Sequence, residues 1–254
     1  MKIRVLGAYG SEGQGQRPTC FLLNERVLVD AGSVTSALTV EEQSKIDVAL
    51  LSHAHLDHMV GLAFLADTLA MTGAQKPVVA TSIAPVVNAL HSHGFNDSLW
   101  PDFSTIPTPE SPVLRFRTLE EEVEARVNAF RVTPVPVDHT VPAAGYIIHD
   151  GETGFVYSGD TGPTERLWKA AREFHALRAV IIGTAFPNRL HRLARAAKHL
   201  TPAMLGEEMD KIPPDLPLWI FHIKPPFVEE IKRELARLDS SRIHVLEQGR
   251  TYTL

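Results

Sequence analysis

Three histidines and an aspartate lie within six residues of one another, in the stretch SHAHLDHMVGL that follows the apolar run VALL. Residues two apart in an extended chain point in the same direction, so we expect His53 and His55 to bind one metal ion together. Asp57 and His58 come where the chain turns into a helix, so they face a different direction. All four would be needed by two adjacent ions, the usual arrangement for hydrolysing phosphate esters. The cluster therefore predicts a metal site at a strand end.

Further candidate ligands follow three other β-rich runs: His139 after VTPVPV, Asp160 after GFVYS and His222 after LWIF. A lone histidine at a strand end is more often hydrogen-bonded or exposed than a ligand, and an aspartate in GDTG is typical of a turn. Beside the first cluster these ordinary roles become improbable. Imidazole and carboxylate ligands without cysteine suit zinc, which we expect, or manganese or iron as alternatives.

The composition favours one folded domain over residues 1–254. The chain has 254 residues, 44% of them hydrophobic, which is enough for a well-buried core. A formal charge of −5 argues against a protein that coats nucleic acid, and the single cysteine, Cys20, cannot form an internal disulfide. No apolar run approaches the roughly 20 residues of a membrane span. We therefore expect a soluble, cytoplasmic protein that does not associate with membranes.

Strand-like and helix-like runs alternate through both halves of the chain, which favours an α/β sandwich of two mixed β-sheets with outer helices. The run MVGLAFLADTLAMTG predicts a buried helix that ends at Gly73, and Ser82 and Thr201 are candidate N-caps of later helices. Residues 94–118 are rich in proline, serine and aromatic residues and break the pattern. A segment of that length predicts a lid or substrate loop, with a surface loop around packed aromatic residues as the alternative.

Five segments resemble, in order and rough spacing, the ligand and support motifs of the metallo-β-lactamase superfamily: VLVDAG, SHAHLDH, DHTVP, SGDTGP and IFHIKP. The resemblance implies an αββα sandwich with a binuclear metal site at one edge. It further implies that one metal is held by His53, His55 and His139, the other by Asp57, His58 and His222, with Asp160 bridging them. Asp30 would support the histidine loop from behind the ligands.

Within this superfamily the sequence is most similar to the class II cyclic-nucleotide phosphodiesterases. The matching segments are HAHLDHMVGL, FNDSLWPDFS, SGDTGPTERLW and KHLTPAMLGEEM. The likeness implies a metal-dependent phosphodiesterase that hydrolyses 3′,5′-cyclic AMP or cyclic GMP to the 5′-nucleotide. Asp57, Asp160 and His199 are then the expected catalytic residues, and the residues expected to bind substrate are Asn96, Trp100 and Thr161. For Trp100, packing in the core or the lid is the alternative.

The sequence departs from the family pattern at two places. Ala66-Asp67 replaces a serine followed by alanine or proline, and Gly183 replaces an acidic residue that would orient His199. His199 then either binds the substrate phosphate or merely precedes a helix. Arg189, Arg192 and Arg195 lie at helical spacing, either as a solvated face or as an attraction for RNA.

The first alternative function is an RNA-processing enzyme similar to RNase Z, or a general phosphodiesterase. A lactone or acyl hydrolase is less favoured, because it shares only the metal site. The last alternative function is that of a non-catalytic metal- and nucleotide-binding protein. It is motivated by the departures from the family pattern at Ala66-Asp67 and at Gly183. A homodimer is compatible with the sequence.

Overall fold

The computed structural model of the protein describes residues 1–74, 76–238 and 240–254. Its strands are β1 (Lys2–Gly7), β2 (Cys20–Leu23), β3 (Val27–Val29), β4 (Val48–Leu50), β5 (Val78–Ile83), β6 (Leu114–Leu119), β7 (Ala125–Val127), β8 (Phe130–Pro136), β9 (Ala144–His149), β10 (Gly154–Tyr157), β11 (Leu177–Gly183), β12 (Leu218–Phe221), β13 (Ile243–Val245) and β14 (Thr251–Thr253). Its α-helices are α1 (Val34–Ala37), α2 (Val40–Gln43), α3 (Leu56–Met71), α4 (Ala84–Ala89), α5 (Arg166–Arg172), α6 (His191–Ala196), α7 (Pro202–Met209) and α8 (Val228–Ala236). A π-helical turn (Leu90–Gly94) and two 3-10 turns (Asn188–Leu190 and Pro225–Phe227) complete the helical structure.

The strands form two seven-stranded sheets of the same design. The first sheet has the order β14-β1-β2-β3-β4-β5-β6, and the second has the order β13-β12-β11-β10-β9-β8-β7. In each sheet one half is antiparallel and the other is parallel, with the change at β3 in the first and at β10 in the second. Strands β3, β4, β10 and β12 end in the loops that carry predicted ligands, so the parallel halves position most of the candidate site.

Aromatic side chains join the two sheets across the central core. Phe21 of the first sheet contacts Tyr157 and Phe221 of the second, with ring centroids 5.7 and 5.5 Å apart, in edge-to-face geometry. All three rings are fully buried, and this geometry is favoured by the charge distribution of aromatic rings. The predicted sandwich of two mixed sheets is therefore confirmed.

Strand β11 shows how the outer helices are attached. Ala179 and Ile181 face the central core, whereas Val180 and Ile182 face the other way, because successive side chains of a strand point to opposite faces. The outward pair packs in a second apolar cluster with buried residues of α5, α7 and α8, including Trp168, Leu205 and Ile231. Both faces of the second sheet are thus covered, which explains why its parallel strands are nearly continuous apolar runs.

The predicted helix boundaries are partly correct. Helix α3 ends at Met71, and Gly73 follows with φ of +69°, a conformation that favours glycine after a helix. Thr201 caps α7, its hydroxyl accepting a hydrogen bond from the Met204 backbone N–H at 3.3 Å. The prediction for Ser82 was wrong: it belongs to β5, and its hydroxyl donates to the Leu51 carbonyl at 2.6 Å. The N-cap of α4 is the next residue, Ile83, whose side chain cannot accept a hydrogen bond.

The segment predicted as a lid is shorter than expected, because strand β6 occupies its last residues. Strand β6 pairs in parallel with β5, from Leu114 opposite Val78 to Leu119 opposite Ile83. It is an edge strand whose charged residues hid the strand pattern in the sequence. Within the remaining segment Phe95 and Phe103 are buried, as the packing alternative predicted, and a lid function stays a prediction. Over the three described ranges, no helix has the length and apolar character that a membrane crossing requires.

Candidate metal centre

The seven predicted ligands converge from both sheets on one site. His53 and His55 follow β4, Asp57 and His58 begin α3, and the other three lie in the loops after β8, β10 and β12: His139, Asp160 and His222. Four groups of three have ligand atoms within 4.8 Å of one another among the described residues; two contain Asp160, and the other two are His53, His55 and His139, and Asp57, His58 and His222. These are the two sets that the family resemblance implied, and each combines residues from both sheets.

Asp160 lies between the two groups. Its Oδ2 atom is 3.8 Å from the Nε2 of His53, 3.2 Å from that of His58 and 3.0 Å from that of His222. One carboxylate oxygen thus faces histidines of both groups, which is the geometry that a shared ligand requires.

The buried polar atoms of the site fit a divalent cation. Four of them have no well-aligned hydrogen bond in the described part of the chain, namely His53 Nε2, His58 Nε2, His222 Nε2 and Asp160 Oδ1, although the Nε2 atoms of His58 and His222 lie 3.2 and 3.0 Å from Asp160 Oδ2. Leaving one such atom unsatisfied costs about 1–3 kcal/mol, so native proteins rarely bury several together without a ligand. Imidazole and carboxylate donors suit a divalent metal of the zinc, manganese or iron type.

In the four buried histidines among the candidate ligands, the second ring nitrogen is held by a neighbour. The contacts are His53 Nδ1 with Ser52 Oγ at 2.9 Å, His58 Nδ1 with Asp30 Oδ2 at 2.6 Å, His222 Nδ1 with Thr19 Oγ1 at 3.1 Å and His139 Nδ1 with the Lys198 carbonyl at 3.3 Å. Such contacts fix the ring orientation and the tautomer of a ligating histidine. A carboxylate can only accept, so the Nδ1–H of His58 donates to Asp30 and leaves Nε2 to face Asp160.

Asp30 is fully buried and accepts hydrogen bonds from both sheets. The Ser52 N–H donates to its Oδ1 at 2.7 Å, and Oδ2 accepts from the Ser52 hydroxyl at 2.8 Å, from His58 at 2.6 Å and from the Tyr157 hydroxyl at 2.5 Å. Its φ of +54° is unfavourable for a residue other than glycine. The four hydrogen bonds offset that strain and tie the histidine loop to the second sheet, consistent with the supporting role expected for Asp30.

Burial and mutual charge set the protonation of the cluster. Burial lowers the pKa of His53 and of His222 well below the usual value. For His58, burial acts in the same direction, but the carboxylates of Asp160 and Asp30 outweigh it and raise the pKa well above the usual range. Burial opposes ionisation of Asp160, yet His222 and His58 hold its pKa well below normal. Ionised Asp160 and neutral His53 and His222 are therefore in the state that ligates metal, whereas His58 must lose a proton to do so.

His199 lies at the edge of the same site. Its ring stacks on His222 with centroids 5.2 Å apart, and its Nδ1 is 4.0 Å from Asp160 Oδ2. Burial lowers the pKa of His199 to about 4. At Gly183 an added Cβ would meet the Gly159 carbonyl at 3.5 Å, an ordinary contact. The position of His199 is compatible with a catalytic role, which stays a prediction.

Lys224 belongs to the site but was not predicted from the sequence. Its ammonium donates to the Gly10 carbonyl and lies 3.5 Å from Asp57 Oδ2. The signal was present in IFHIKP, where the lysine follows His222 by two residues. Lys224 therefore places a positive charge beside a candidate ligand and holds the loop after β1 against the site.

The residues expected to bind substrate have partners elsewhere. The Asn96 side chain is exposed; its oxygen accepts from the Leu99 N–H at 2.9 Å, and its amide donates to the Ser92 carbonyl at 2.8 Å. Trp100 donates from Nε1 to the Ala63 carbonyl at 3.1 Å, on helix α3, and Thr161 donates to its neighbour Gly162 at 2.8 Å. For Trp100 this favours the packing alternative. Substrate binding by these three residues stays a prediction.

The predicted basic helix is only partly free to attract an anion. Arg189 lies in the 3-10 turn before α6 and forms an ion pair with Glu230 at 2.9 Å. Arg192 and Arg195 are exposed on α6. All three arginines are therefore exposed, and two of them have no ion-pair partner among the described residues.

Comparisons with known proteins agree with this geometry. A "Probable 3′,5′-cyclic-nucleotide phosphodiesterase" of Yersinia pestis is 26% identical over 209 residues, which cover 73% of this chain but only 59% of that protein. A 3′,5′-cyclic-nucleotide phosphodiesterase of Aliivibrio fischeri is 27% identical over 305 aligned positions, covering 96% of this chain and 90% of that protein. A ribonuclease Z of Archaeoglobus fulgidus is 26% identical over 159 residues, covering 59% and 48%.

The fold is similar to that of a solved structure over the whole chain. The crystal structure of unliganded yeast PDE1 has a TM-score of 0.84 at 19% identity and covers 100% of this chain and 99% of that one. The family model described as "Beta-lactamase superfamily domain" matches residues 25–223, which is well over half of the chain. The match confirms the superfamily resemblance read from the motifs, and the chain belongs to the beta-lactamase superfamily domain family.

Proposed function

We propose that this protein is a metal-dependent phosphodiesterase that hydrolyses 3′,5′-cyclic nucleotides to 5′-nucleotides. The observation that carries the proposal is the position of Asp160 between two groups of three candidate ligands. Paired metal sites of this kind are the usual solution for phosphate ester hydrolysis. The relative from Aliivibrio fischeri, which aligns over most of both chains, supports cyclic nucleotides as the substrate class.

In the proposed enzyme the seven residues hold two divalent ions, with zinc as the expected metal. Bound metal of this kind polarises phosphoryl oxygens and lowers the pKa of water. The chain contributes a rigid frame, because Asp30 and the other neighbours fix the histidine rings before substrate arrives. Water adds to phosphorus, the bond to the 3′ oxygen breaks, and that oxygen gains a proton.

Two side chains at the edge of the site suit the anionic substrate. The Lys224 ammonium adds positive charge near Asp57, which favours binding of a phosphate diester. The His199 ring, which is neutral at a pKa of about 4, lies within 4.0 Å of Asp160 and can donate a hydrogen bond to a phosphate oxygen. We assign these roles as part of the proposal.

An RNA-processing activity is the second candidate. It is favoured by the ribonuclease Z relative and by the exposed Arg192 and Arg195 on α6. Its substrate would occupy the same metal centre, so the two functions differ in which phosphodiester is cleaved.

Turnover assays on matched substrates test the proposal. Protein stripped with a chelator and reloaded with zinc or manganese is incubated with cyclic AMP, cyclic GMP, bis(p-nitrophenyl) phosphate and a precursor tRNA. We expect 5′-nucleotide from the cyclic nucleotides, lost in Asp160→Asn and kept in Asp150→Asn, which changes an exposed turn carboxylate. Faster cleavage of the tRNA would favour the second candidate, and no turnover of any diester in any metal form would contradict both phosphodiesterase candidates.

A further inference from the structure

An apolar cleft opens directly beside the candidate metal centre. Its volume is about 340 Å³, within the usual range for small-molecule sites. Its walls come from the start of α3, from α4 with the π-helical turn, from Leu99 and from the loop after β8; its apolar lining includes Leu56, Met59 and Val141. His55, a candidate metal ligand, also lines this cleft. The cleft and the metal centre therefore share a wall.

The lining of the cleft provides few groups for hydrogen bonding. Among the described residues that line it, only His55 and His93 have polar side chains, and none has a charged carboxylate, ammonium or guanidinium group. Two leucines from separate segments are exposed at its rim, Leu56 by 64% and Leu99 by 65%. Exposed apolar side chains that meet at the rim of an apolar cavity are typical of a ligand site.

The same two leucines, together with Met59 and Gly94, also line a second hollow. That hollow is about 250 Å³ in volume and is lined by Phe64 and Trp100 in addition to Leu56 and Leu99. Trp100, which the sequence suggested as a base-stacking residue, thus faces the second hollow and donates its N–H to the Ala63 carbonyl. In the first cleft, beside His55, the apolar surface is formed by aliphatic side chains, and the aromatic rings of Phe64 and Trp100 are not part of it.

We infer that the cleft binds the base of the cyclic nucleotide, an inference that rests on the proposed function. A substrate whose phosphate lies among the seven ligands can extend its base past His55 into the cleft. The flat faces of a purine then bury apolar surface against Leu99 and Met59. Its polar edge meets almost no fixed donor or acceptor. The base contributes binding energy without being identified by hydrogen bonds.

This chemistry has a consequence for specificity. Sites that hydrogen-bond a substrate group reject an analogue without it by 10⁴-fold or more, whereas apolar pockets discriminate between similar shapes by only about 100-fold. We therefore expect kcat/KM for cyclic AMP and cyclic GMP to differ by less than about 100-fold. A diester without a base, methyl ribofuranoside 3′,5′-cyclic phosphate, should be a poorer substrate than either.

The substitution Leu99→Ser tests the inference against a matched control. Met71→Ser changes an exposed side chain at the other end of α3, about 22 Å along the helix from Leu56. We expect Leu99→Ser to raise KM about tenfold for both cyclic nucleotides with kcat unchanged, because the contact is equally present before and during the reaction. The diester without a base should be hydrolysed as by the wild type, and Met71→Ser should change none of these constants.

A binding measurement separates failure of the inference from failure of the proposed function. Adenosine lacks the phosphate, so its binding by calorimetry reports on the cleft alone. Weaker adenosine binding in Leu99→Ser, with Met71→Ser unchanged, supports the cleft even if no diester is hydrolysed, in which case only the proposed activity is contradicted. Hydrolysis of cyclic nucleotides with the same KM in Leu99→Ser as in the wild type, or selectivity of 10⁴-fold between the two bases, would overturn the inference.

Discussion

Replacing Asp30 by asparagine should loosen the metal centre without touching a ligand. Three donors converge on Asp30 Oδ2, from Ser52, His58 and Tyr157, and the Ser52 N–H meets the other oxygen. An amide offers one oxygen in place of two and turns the other position into a donor. Whichever way the amide lies, at least one buried donor loses its acceptor. The isosteric change therefore tests hydrogen bonding and charge with little effect on volume.

The expected loss of metal affinity in Asp30→Asn follows from what the substitution does to the His58 ring. With the amide nitrogen facing Nδ1, the ring is driven to carry its proton on Nε2, the atom that faces Asp160. Loss of such supporting contacts lowers metal affinity by about 10- to 100-fold, which corresponds to about 1.4–2.8 kcal/mol. One unsatisfied buried donor should also lower the free energy of unfolding of the metal-free protein by about 1–3 kcal/mol.

Competition with a chromophoric chelator measures zinc affinity, and urea unfolding of the metal-free protein measures stability. Asp102→Asn is the matched control, because Asp102 likewise accepts from a backbone N–H and a hydroxyl of Ser104 and contacts His91, but in the loop before β6. We expect zinc affinity to fall only in Asp30→Asn. Wild-type zinc affinity in a folded Asp30→Asn protein would refute the role of Asp30.

Four other predictions concern the metal and three separate side-chain groups. Chelation should abolish diester hydrolysis and lower the melting temperature, and zinc or manganese should restore both, because the ions bind only the folded chain; calorimetry with and without chelator checks this. Lys224→Met should lower kcat/KM for cyclic AMP at least about tenfold. Lys232→Met, at an exposed position of α8, should leave kcat/KM unchanged in the same steady-state assay. Glu208→Gln should lower the free energy of unfolding by about 1–3 kcal/mol, because three donors meet that buried carboxylate, while zinc affinity in chelator competition stays the same. Replacing Arg192 and Arg195 together by alanine should leave cyclic AMP kinetics within about twofold, and a selective loss of precursor tRNA cleavage would instead favour RNA as the substrate.

The ligand positions were predictable because the information is local. Each candidate follows a run that reads as a strand, and the two sheets bring these strand ends together although up to 169 positions separate them in the numbering. His53, Asp160 and His222 follow strands of the parallel halves, whereas His139 follows β8, which is antiparallel to both of its neighbours. The caps show the limit of such local information: Thr201 was identified correctly, but Ser82, with a similar local sequence, belongs to a strand.

Other features depend on contacts between distant segments. Strand β6 carries arginines on its exposed positions, so only its pairing with β5 identifies it. The contact of Lys224 with Gly10 joins residues from opposite ends of the chain. The apolar cleft is formed by four separate segments, none of which is unusual by itself, so its base-binding role could be inferred only once their arrangement was known.

The metal content of the purified protein tests the central claim most directly. Protein dialysed against zinc and then against metal-free buffer is analysed by plasma mass spectrometry, beside Asp160→Ala. The two ligand groups and the carboxylate between them predict two ions per wild-type chain and fewer in the variant. A wild-type chain that retains no metal, or the same content in a folded Asp160→Ala protein, would contradict the assignment of these residues as a metal centre.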